Sequence, residues 1–158
     1  MARRLVEAGV RCVTLAFSRW DHHGDNFGAL RQDLPLLDQG VSALVEDIHN
    51  RGLDKDVSVV VWGEFGRTPN LNEARGRDHF PTAWSMAMAG CGIKPGVVYG
   101  STDANGLDVK ENPVDQARLF ATIFTALGMD PHQPYDLPGF PLFHRVENQA
   151  EPVREVLK

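Results

Sequence analysis

The sequence has few cysteines, no long apolar run and no excess of positive charge, and each shortage excludes a class of protein. Two cysteines, Cys12 and Cys91, are too few for a disulfide-stapled scaffold. We predict two free and mostly buried thiols, which is the usual state of lone cysteines. A disulfide bond between them would form only if the protein is exported. No stretch approaches the roughly 20 apolar residues that span a bilayer. No apolar core of a signal peptide follows Arg3 and Arg4.

The balance of charge argues against a nucleic-acid partner. The net charge is -5, and the arginines are scattered rather than arranged in a stripe with interleaved aromatic residues. With 42% hydrophobic and 23% charged residues, the chain has the composition of an ordinary globular domain. We therefore expect neither nucleic-acid binding nor a membrane span.

Apolar periodicity divides the chain into alternating strands and helices. Residues 11–17 and 57–62 are nearly continuous apolar runs, which are typical of strands buried on both faces. Helical spacing over residues 34–48 and 119–127 predicts two amphipathic helices that end at Gly52 and Gly128. Weaker patterns predict the end of a helix, two short strands and a short terminal helix, at residues 3–8, 84–89, 97–99 and 151–157.

This alternation predicts an α/β protein built from βαβ units with right-handed crossovers. The expected architecture is part of an α/β/α sandwich with a mostly parallel sheet. Only three or four strands are visible, fewer than the usual 5–6 of a sheet. We therefore expect one domain over residues 1–158 that lacks its amino-terminal half, with a mostly irregular tail over residues 131–158.

Three polar clusters follow the predicted strands. They occupy residues 20–26, 63–69 and 76–81, and together they contain Asp, His, Glu and Arg side chains. Loops that leave the carboxyl ends of neighbouring parallel strands meet in one crevice, where ligands bind. The three clusters therefore predict a site for a divalent metal and an anionic substrate.

Asp21 and His23 form the sharpest pair of candidate ligands. A carboxylate and an imidazole in one loop are usual ligands of zinc, manganese or iron. The alternative is a polar loop in which Asp21 caps a turn and the histidines face solvent. His22 is not expected to be a ligand, because adjacent side chains in an extended loop diverge. Its side chain is expected either to contact the ligands from outside the metal site or to be exposed.

Glu64 and Arg67 follow the second apolar run directly. Glu64 could bind metal or act as a general base, and the alternative is a carboxylate paired with Arg67 to stabilise the loop. Arg67 could hold an anionic group through two parallel hydrogen bonds. Gly63 and Gly66 on either side of Glu64 permit close backbone approach.

His79 lies in a loop of Gly, Arg, Asp and His, a composition that contributes little to packing. An exposed histidine is the ordinary expectation, but the other two clusters favour a metal ligand. Arg77 and Asp78 are expected to orient this histidine and fix its tautomer. No Gly-x-Ser-x-Gly elbow, Cys–His signature or P-loop is present, so no nucleophile is assigned.

The motifs resemble a bacterial family of unknown function, DUF1501, a branch of the alkaline phosphatase-like and sulfatase-like superfamily. The resemblance rests on Trp-Asp-x-His with Asn-Phe, Gly-Glu-Phe-Gly-Arg-Thr-Pro and Gly-Arg-Asp-His-Phe-Pro, at residues 20–27, 63–69 and 76–81. Residues 34–38 and 126–130 also look like that family. The resemblance covers nearly the whole chain and implies the carboxyl-terminal part of a longer protein.

This resemblance implies an α/β/α sandwich that cleaves phosphate or sulfate esters with bound divalent metal, expected to be zinc, manganese or calcium. Asp21, His23 and His79 match one metal site, and Glu64 falls where a second site usually has an aspartate. Phe65 stands where the superfamily usually has a histidine, which removes one nitrogen ligand. The nucleophile and the first metal aspartate of the superfamily come from the amino-terminal half.

Two functions of different classes follow. One is a metal-dependent hydrolase of a small anionic ester, in which Arg67 or Arg77 holds the ester oxygens. The other is a sulfatase-like binding module that has lost its chemistry, motivated by Phe65 and the missing nucleophile. A third possibility is a truncated product that barely folds alone. Relatives of this family look exported, so the resemblance implies a periplasmic or extracellular protein.

Overall fold

The structure is a computed structural model, and it describes residues 1–147 and 150–158. Within these residues, three α-helices form: α1 over Ala2–Glu7, α2 over Asn26–Asn50 and α3 over Gln116–Ala126. Short 3-10 turns occur at Leu53–Lys55 and Arg154–Val156. The predicted helices are therefore confirmed, although the segment at residues 151–157 is a single 3-10 turn.

In the part of the chain that the structure describes, eight short strands pair antiparallel in four separate two-stranded sheets. The pairs are β1 with β4, β2 with β3, β5 with β6, and β7 with β8. The strands are β1 Ser58–Val61, β2 Gly66–Arg67, β3 His79–Phe80, β4 Ala87–Gly90, β5 Ser101–Thr102, β6 Val109–Glu111, β7 Pro134–Tyr135 and β8 Phe143–His144. The predicted α/β/α sandwich with a mostly parallel sheet is therefore wrong, and the chain is a small mixed domain.

The error has a physical cause in strand pairing. A strand needs a neighbour whose backbone completes its hydrogen bonds, and none of the described segments supplies one along residues 11–17. That segment is extended but unpaired, with Leu15 84% exposed and Cys12 exposed as well. β1 does form, but it pairs with β4 in the antiparallel register Ser58↔Gly90. Burial of the Cys12 thiol and a strand at residues 97–99 are likewise wrong, and Val98 is 93% exposed.

α2 begins well before the predicted start near Leu34. Pro35 lies inside the helix, although proline is most common in a first helical turn. The other end of α2 is tied to α1, because the Arg3 side chain donates a hydrogen bond to Asp47. α2 thus runs from the loop at residues 20–26 to the strand pair of β1 and β4.

α3 anchors the carboxyl-terminal segment. Its first turn is capped by Asp115, whose carboxylate accepts a hydrogen bond from the Arg118 backbone N–H at 2.8 Å. Thr122 is only 1% exposed, and its hydroxyl oxygen accepts a hydrogen bond from the Val153 N–H at 2.9 Å. Because this is a buried polar contact between two distant segments, it fixes the tail against the helix.

Much apolar surface remains exposed. The accessible area is 11363 Å², against about 7,900 Å² for a compact monomer of this mass. Trp62 is 51% exposed and Phe140 is 69% exposed. None of the helices in the described part of the chain is long and apolar enough to cross a membrane.

Candidate metal centre

The polar clusters meet because two backbone segments run side by side. Residues 22–26 lie antiparallel to residues 74–77, with a β-bridge between Gly24 and Arg75. The Asp25 N–H donates to the Ala74 carbonyl, and the Arg77 N–H donates to the His22 carbonyl at 3.0 Å. The loop between β2 and β3 is thereby bound to the loop that precedes α2.

Gly76 makes this close approach possible. A Cβ atom at this position would lie 1.9 Å from the carbonyl carbon of His23, far inside any van der Waals contact. Gly76 is buried, and its N–H donates to the Asn72 side-chain oxygen at 2.9 Å. Only glycine fits where the two loops touch, immediately behind His23.

Asp21, His23 and His79 converge on one point. The Asp21 Oδ1 atom lies 2.8 Å from His79 Nε2 and 3.0 Å from His23 Nε2. The two Nε2 atoms are 3.3 Å apart. Among the described residues, these three form the one group of His, Cys, Asp and Glu side chains with spacing suited to a metal ion.

The donor set and its spacing fit a divalent metal. Zinc bonds nitrogen and oxygen at about 2.0–2.2 Å, so two ligand atoms of a tetrahedral site lie about 3.3 Å apart. The three observed separations lie at or slightly below that value. All three residues are exposed, so one side of the cluster is open to water or a substrate, as a catalytic zinc site requires.

Asp78 contacts the His23 ring at Nδ1, the nitrogen that faces away from the cluster. Its Oδ1 atom is 2.7 Å from His23 Nδ1. This contact raises the pKa of His23 above its ordinary value, and it lowers the pKa of Asp78 in return. A carboxylate that accepts from Nδ1 leaves the Nε2 lone pair of a neutral His23 free for a metal.

Arg67 contributes positive charge next to the cluster. Its Nη2 atom donates to Asp21 Oδ1 at 2.9 Å, and its guanidinium lies over the Phe65 ring at 5.7 Å. The hydrogen bond from His79, which has the largest effect, and the hydrogen bond from Arg67 hold the pKa of Asp21 well below its usual range. Asp21 is therefore a carboxylate at any physiological pH.

Asn72 is a site residue that the sequence did not reveal. Its side-chain nitrogen donates to the His23 carbonyl at 3.0 Å and to Asp78 Oδ1 at 3.1 Å. Asn72 is part-buried in the loop between β2 and β3. An asparagine in a polar loop is an ordinary turn residue, so no sequence signal distinguishes it.

The other predicted residues lie around the cluster in different roles. Glu64 is exposed and lies outside the three-residue group. The Arg77 guanidinium donates to the Thr68 carbonyl at 2.6 Å and lies over the Phe27 ring at 5.9 Å, which directs it towards the protein. The His22 ring is near the Trp20 ring at 6.2 Å, and its buried Nδ1 has no hydrogen-bond partner among the described residues.

A cavity of about 270 Å³ lies beside Asp78. Its walls combine apolar side chains with Asn72 and Asp78, and they include none of the three clustered residues. The full lining is Thr68, Pro69, Asn70, Leu71, Asn72, Asp78, Phe80 and Leu107. No lysine or arginine lines this space, so an anionic group is better matched by Arg67 than by the cavity.

Comparison with known proteins shows which family the chain belongs to. Neither the curated proteins nor the solved structures contain a match to this chain. One family model, described as a protein of unknown function (DUF1501), matches residues 1–157, nearly the whole chain. The motifs at residues 20–27, 63–69 and 76–81 all fall within that match. The chain therefore belongs to the DUF1501 family.

Proposed function

We propose that the chain is the metal-binding part of a metal-dependent hydrolase that acts on phosphate or sulfate esters. The observation that carries the proposal is the convergence of Asp21 Oδ1, His23 Nε2 and His79 Nε2 within 3.3 Å of one another. The resemblance of the three motifs to the alkaline phosphatase-like and sulfatase-like superfamily adds the ester chemistry to this geometry.

Asp21, His23 and His79 are the proposed ligands of zinc or manganese, because calcium takes oxygen ligands and two of these three donors are imidazole nitrogens. When bound, the metal polarises an ester oxygen and stabilises the charge that develops there. Asp78 holds the His23 ring in the orientation that points Nε2 at the site. Glu64 is exposed in the neighbouring loop and is proposed as a further ligand or as a base for water.

Arg67 is the proposed anion-binding residue. Its hydrogen bonds to Asp21 and to the Arg77 carbonyl use Nη2 and Nη1, and a guanidinium has five N–H donors. The remaining donors can bind the oxygens of a small anionic ester beside the metal ligands. Arg77 is less suited, because its guanidinium donates to backbone carbonyls.

The nucleophile of the proposed reaction comes from a longer form of this chain. By the resemblance, an amino-terminal half supplies a serine, a threonine or a modified cysteine. The apolar surface around Trp62 and along residues 11–17 is the kind of surface that such a half would cover. This half and the ester are the proposed partners.

A binding module without chemistry is the second candidate. The Phe65 ring packs 4.4 Å from the His79 ring at the position where the superfamily usually has a histidine. Because Glu64 also lies outside the three-residue group, only one metal position has ligands close together among the described residues. A module of this kind would bind metal and an anion without turnover.

Turnover by a longer form of the chain separates the two candidates. Aryl phosphate and aryl sulfate are offered to the chelator-treated protein with and without added zinc, manganese or calcium. A hydrolase shows metal-dependent turnover that His79→Ala abolishes and His132→Ala retains, since His132 lies near the Ala150 carbonyl and outside the cluster. Metal binding without turnover of either ester would contradict the hydrolase and favour the module.

A further inference from the structure

We propose that Asn72 is a positioning residue that fixes His23 in the tautomer with its hydrogen on Nδ1, by holding Asp78 in place as the acceptor. The relevance of this tautomer to metal binding rests on the function proposed above. The tautomer itself is a property of the metal-free protein and can be measured without any metal.

His23 has a carboxylate at each ring nitrogen. Nδ1 lies 2.7 Å from Asp78 Oδ1, and Nε2 lies 3.0 Å from Asp21 Oδ1. A neutral imidazole has one hydrogen, so it can donate to only one of the two carboxylates. Donation to Asp21 would place the hydrogen on Nε2 and would block the atom that faces the cluster. The better-positioned acceptor therefore sets which tautomer of His23 is favoured, and with it how readily Nε2 binds metal.

Asn72 favours the tautomer in which His23 Nδ1–H donates to Asp78. Its side-chain nitrogen donates to Asp78 Oδ1 at 3.1 Å and to the His23 carbonyl at 3.0 Å. Its side-chain oxygen accepts from the Gly76 N–H at 2.9 Å. Because a backbone N–H can only donate, the bond from Gly76 settles which end of the amide is oxygen. The opposite end is then the NH₂ group that faces Asp78.

The backbone of Asp78 is held independently. Its N–H donates to the Thr68 hydroxyl oxygen at 3.1 Å, and its carbonyl accepts from the Thr68 N–H at 3.0 Å. The Asp78 side chain, however, is 52% exposed, so water competes for its oxygens and the carboxylate can rotate. Besides His23, Asn72 is the residue whose side chain donates to this carboxylate among the described residues. Asn72 thus fixes the side chain while Thr68 fixes the backbone.

The test is a side-chain ¹⁵N NMR spectrum of histidine-labelled, metal-free protein at about pH 9, well above the ordinary pKa of histidine. In the wild type, His23 is expected as the Nδ1–H tautomer. Asn72→Ala is expected to shift His23 towards the Nε2–H tautomer, as Asp78→Asn also should. Asn70→Ala, which changes an asparagine in the same loop, should leave the spectrum unchanged.

Asn72→Asp keeps the test decisive if the alanine variant fails to fold. This variant keeps the shape and the oxygen that accepts from Gly76, but it loses both donated hydrogen bonds and repels Asp78. It should give the same shift towards Nε2–H. A folded Asn72 variant that retains the wild-type tautomer, while Asp78→Asn loses it, would overturn the proposal.

Zinc affinity then links the tautomer to the site. Loss of an outer hydrogen-bond partner of a metal ligand weakens binding by about 10–100-fold, and we expect the lower end for Asn72→Ala because Asp78 remains. Asn70→Ala should bind as the wild type does. A wild type that binds no zinc would contradict the proposed function, while the NMR result would still decide the role of Asn72.

Discussion

His23 Nδ1 lies 2.7 Å from Asp78 Oδ1, although the two residues are 55 positions apart in the chain. The contact joins the loop before α2 to the loop that enters β3, and it directs Nε2 of His23 towards Asp21 and His79. A carboxylate behind a histidine ligand is the usual support of a metal-binding imidazole.

Asp78→Asn should weaken zinc binding by about 10–100-fold, because the amide supports the Nδ1–H tautomer of His23 less well. A competition titration against a chromogenic chelator measures the change. Asp54→Asn is the matched control, since Asp54 also faces a histidine, His49, at 3.1 Å but lies outside the cluster. Equal affinities for the wild type and both variants would show that Asp78 gives no support.

The metal-free protein should lose the stabilising contribution of His23 as the pH rises. Asp78 raises the pKa of His23, so its protonated form is favoured in the folded state. This contribution is fully present below the ordinary value of 6.5 and disappears as the pH passes through the raised pKa. Asp21 and Asp78 have lowered pKa values, so their contributions are lost only in acid, as the pH falls below their ordinary value of 3.8.

Thermal melting of metal-free wild type and His23→Ala from about pH 5 to pH 9 tests whether the contribution of His23 to stability falls as the pH rises. The difference in Tm between them should be greatest at the acidic end and should shrink towards the basic end. Metal binding should change in the opposite direction and weaken in acid, because a protonated His23 cannot be a ligand. A Tm difference that grows with pH would contradict the contact with Asp78.

Gly76→Ala should destabilise the protein by about 1–3 kcal/mol, the usual cost of overpacking, because its Cβ would overlap the His23 backbone. Chemical denaturation measures the free energy of unfolding. Gly40→Ala in α2 is the control, since nothing lies within 4 Å of its added Cβ, and it should stabilise the helix by about 0.5–1 kcal/mol. Equal effects of the two substitutions would show that the loops do not touch at Gly76.

Thr122→Val should cost about 1–3 kcal/mol, because it leaves the Val153 N–H without its acceptor in a buried position. Thr125→Val one turn along α3 is the matched comparison. The Thr125 hydroxyl is buried with no partner among the described residues, so its removal should be neutral or stabilising. If denaturation gives the reverse order, the tail does not pack on α3 as described.

The helices could be predicted from the sequence, but the strand pairing could not. The apolar stripe of α3 and its stop at Gly128 are local features, and the helix forms where they indicate. Strand pairing is a long-range property, and the sequence of an apolar run such as residues 11–17 does not indicate which segment it pairs with. β1 pairs with β4 across a long loop in antiparallel register, which excludes the predicted parallel arrangement of these strands.

The structure brings together three of the four candidate ligands, without Glu64, and for a different reason from the one that the sequence suggested. Asp21, His23 and His79 were selected because loops at one edge of a parallel sheet would meet. They meet instead because residues 22–26 pair with residues 74–77 and Gly76 allows the contact. Asn72 has no motif around it, and only the three hydrogen bonds of its side chain in the structure reveal its role.

The proposed function depends on the binding of a divalent metal by Asp21, His23 and His79. Metal content by mass spectrometry, on purified wild type, His23→Ala and His49→Ala shown to be folded, tests it most directly. The wild type and His49→Ala should contain about one equivalent of zinc or manganese, and His23→Ala should lose it. A folded wild type without metal, or His23→Ala with the same content, would contradict it.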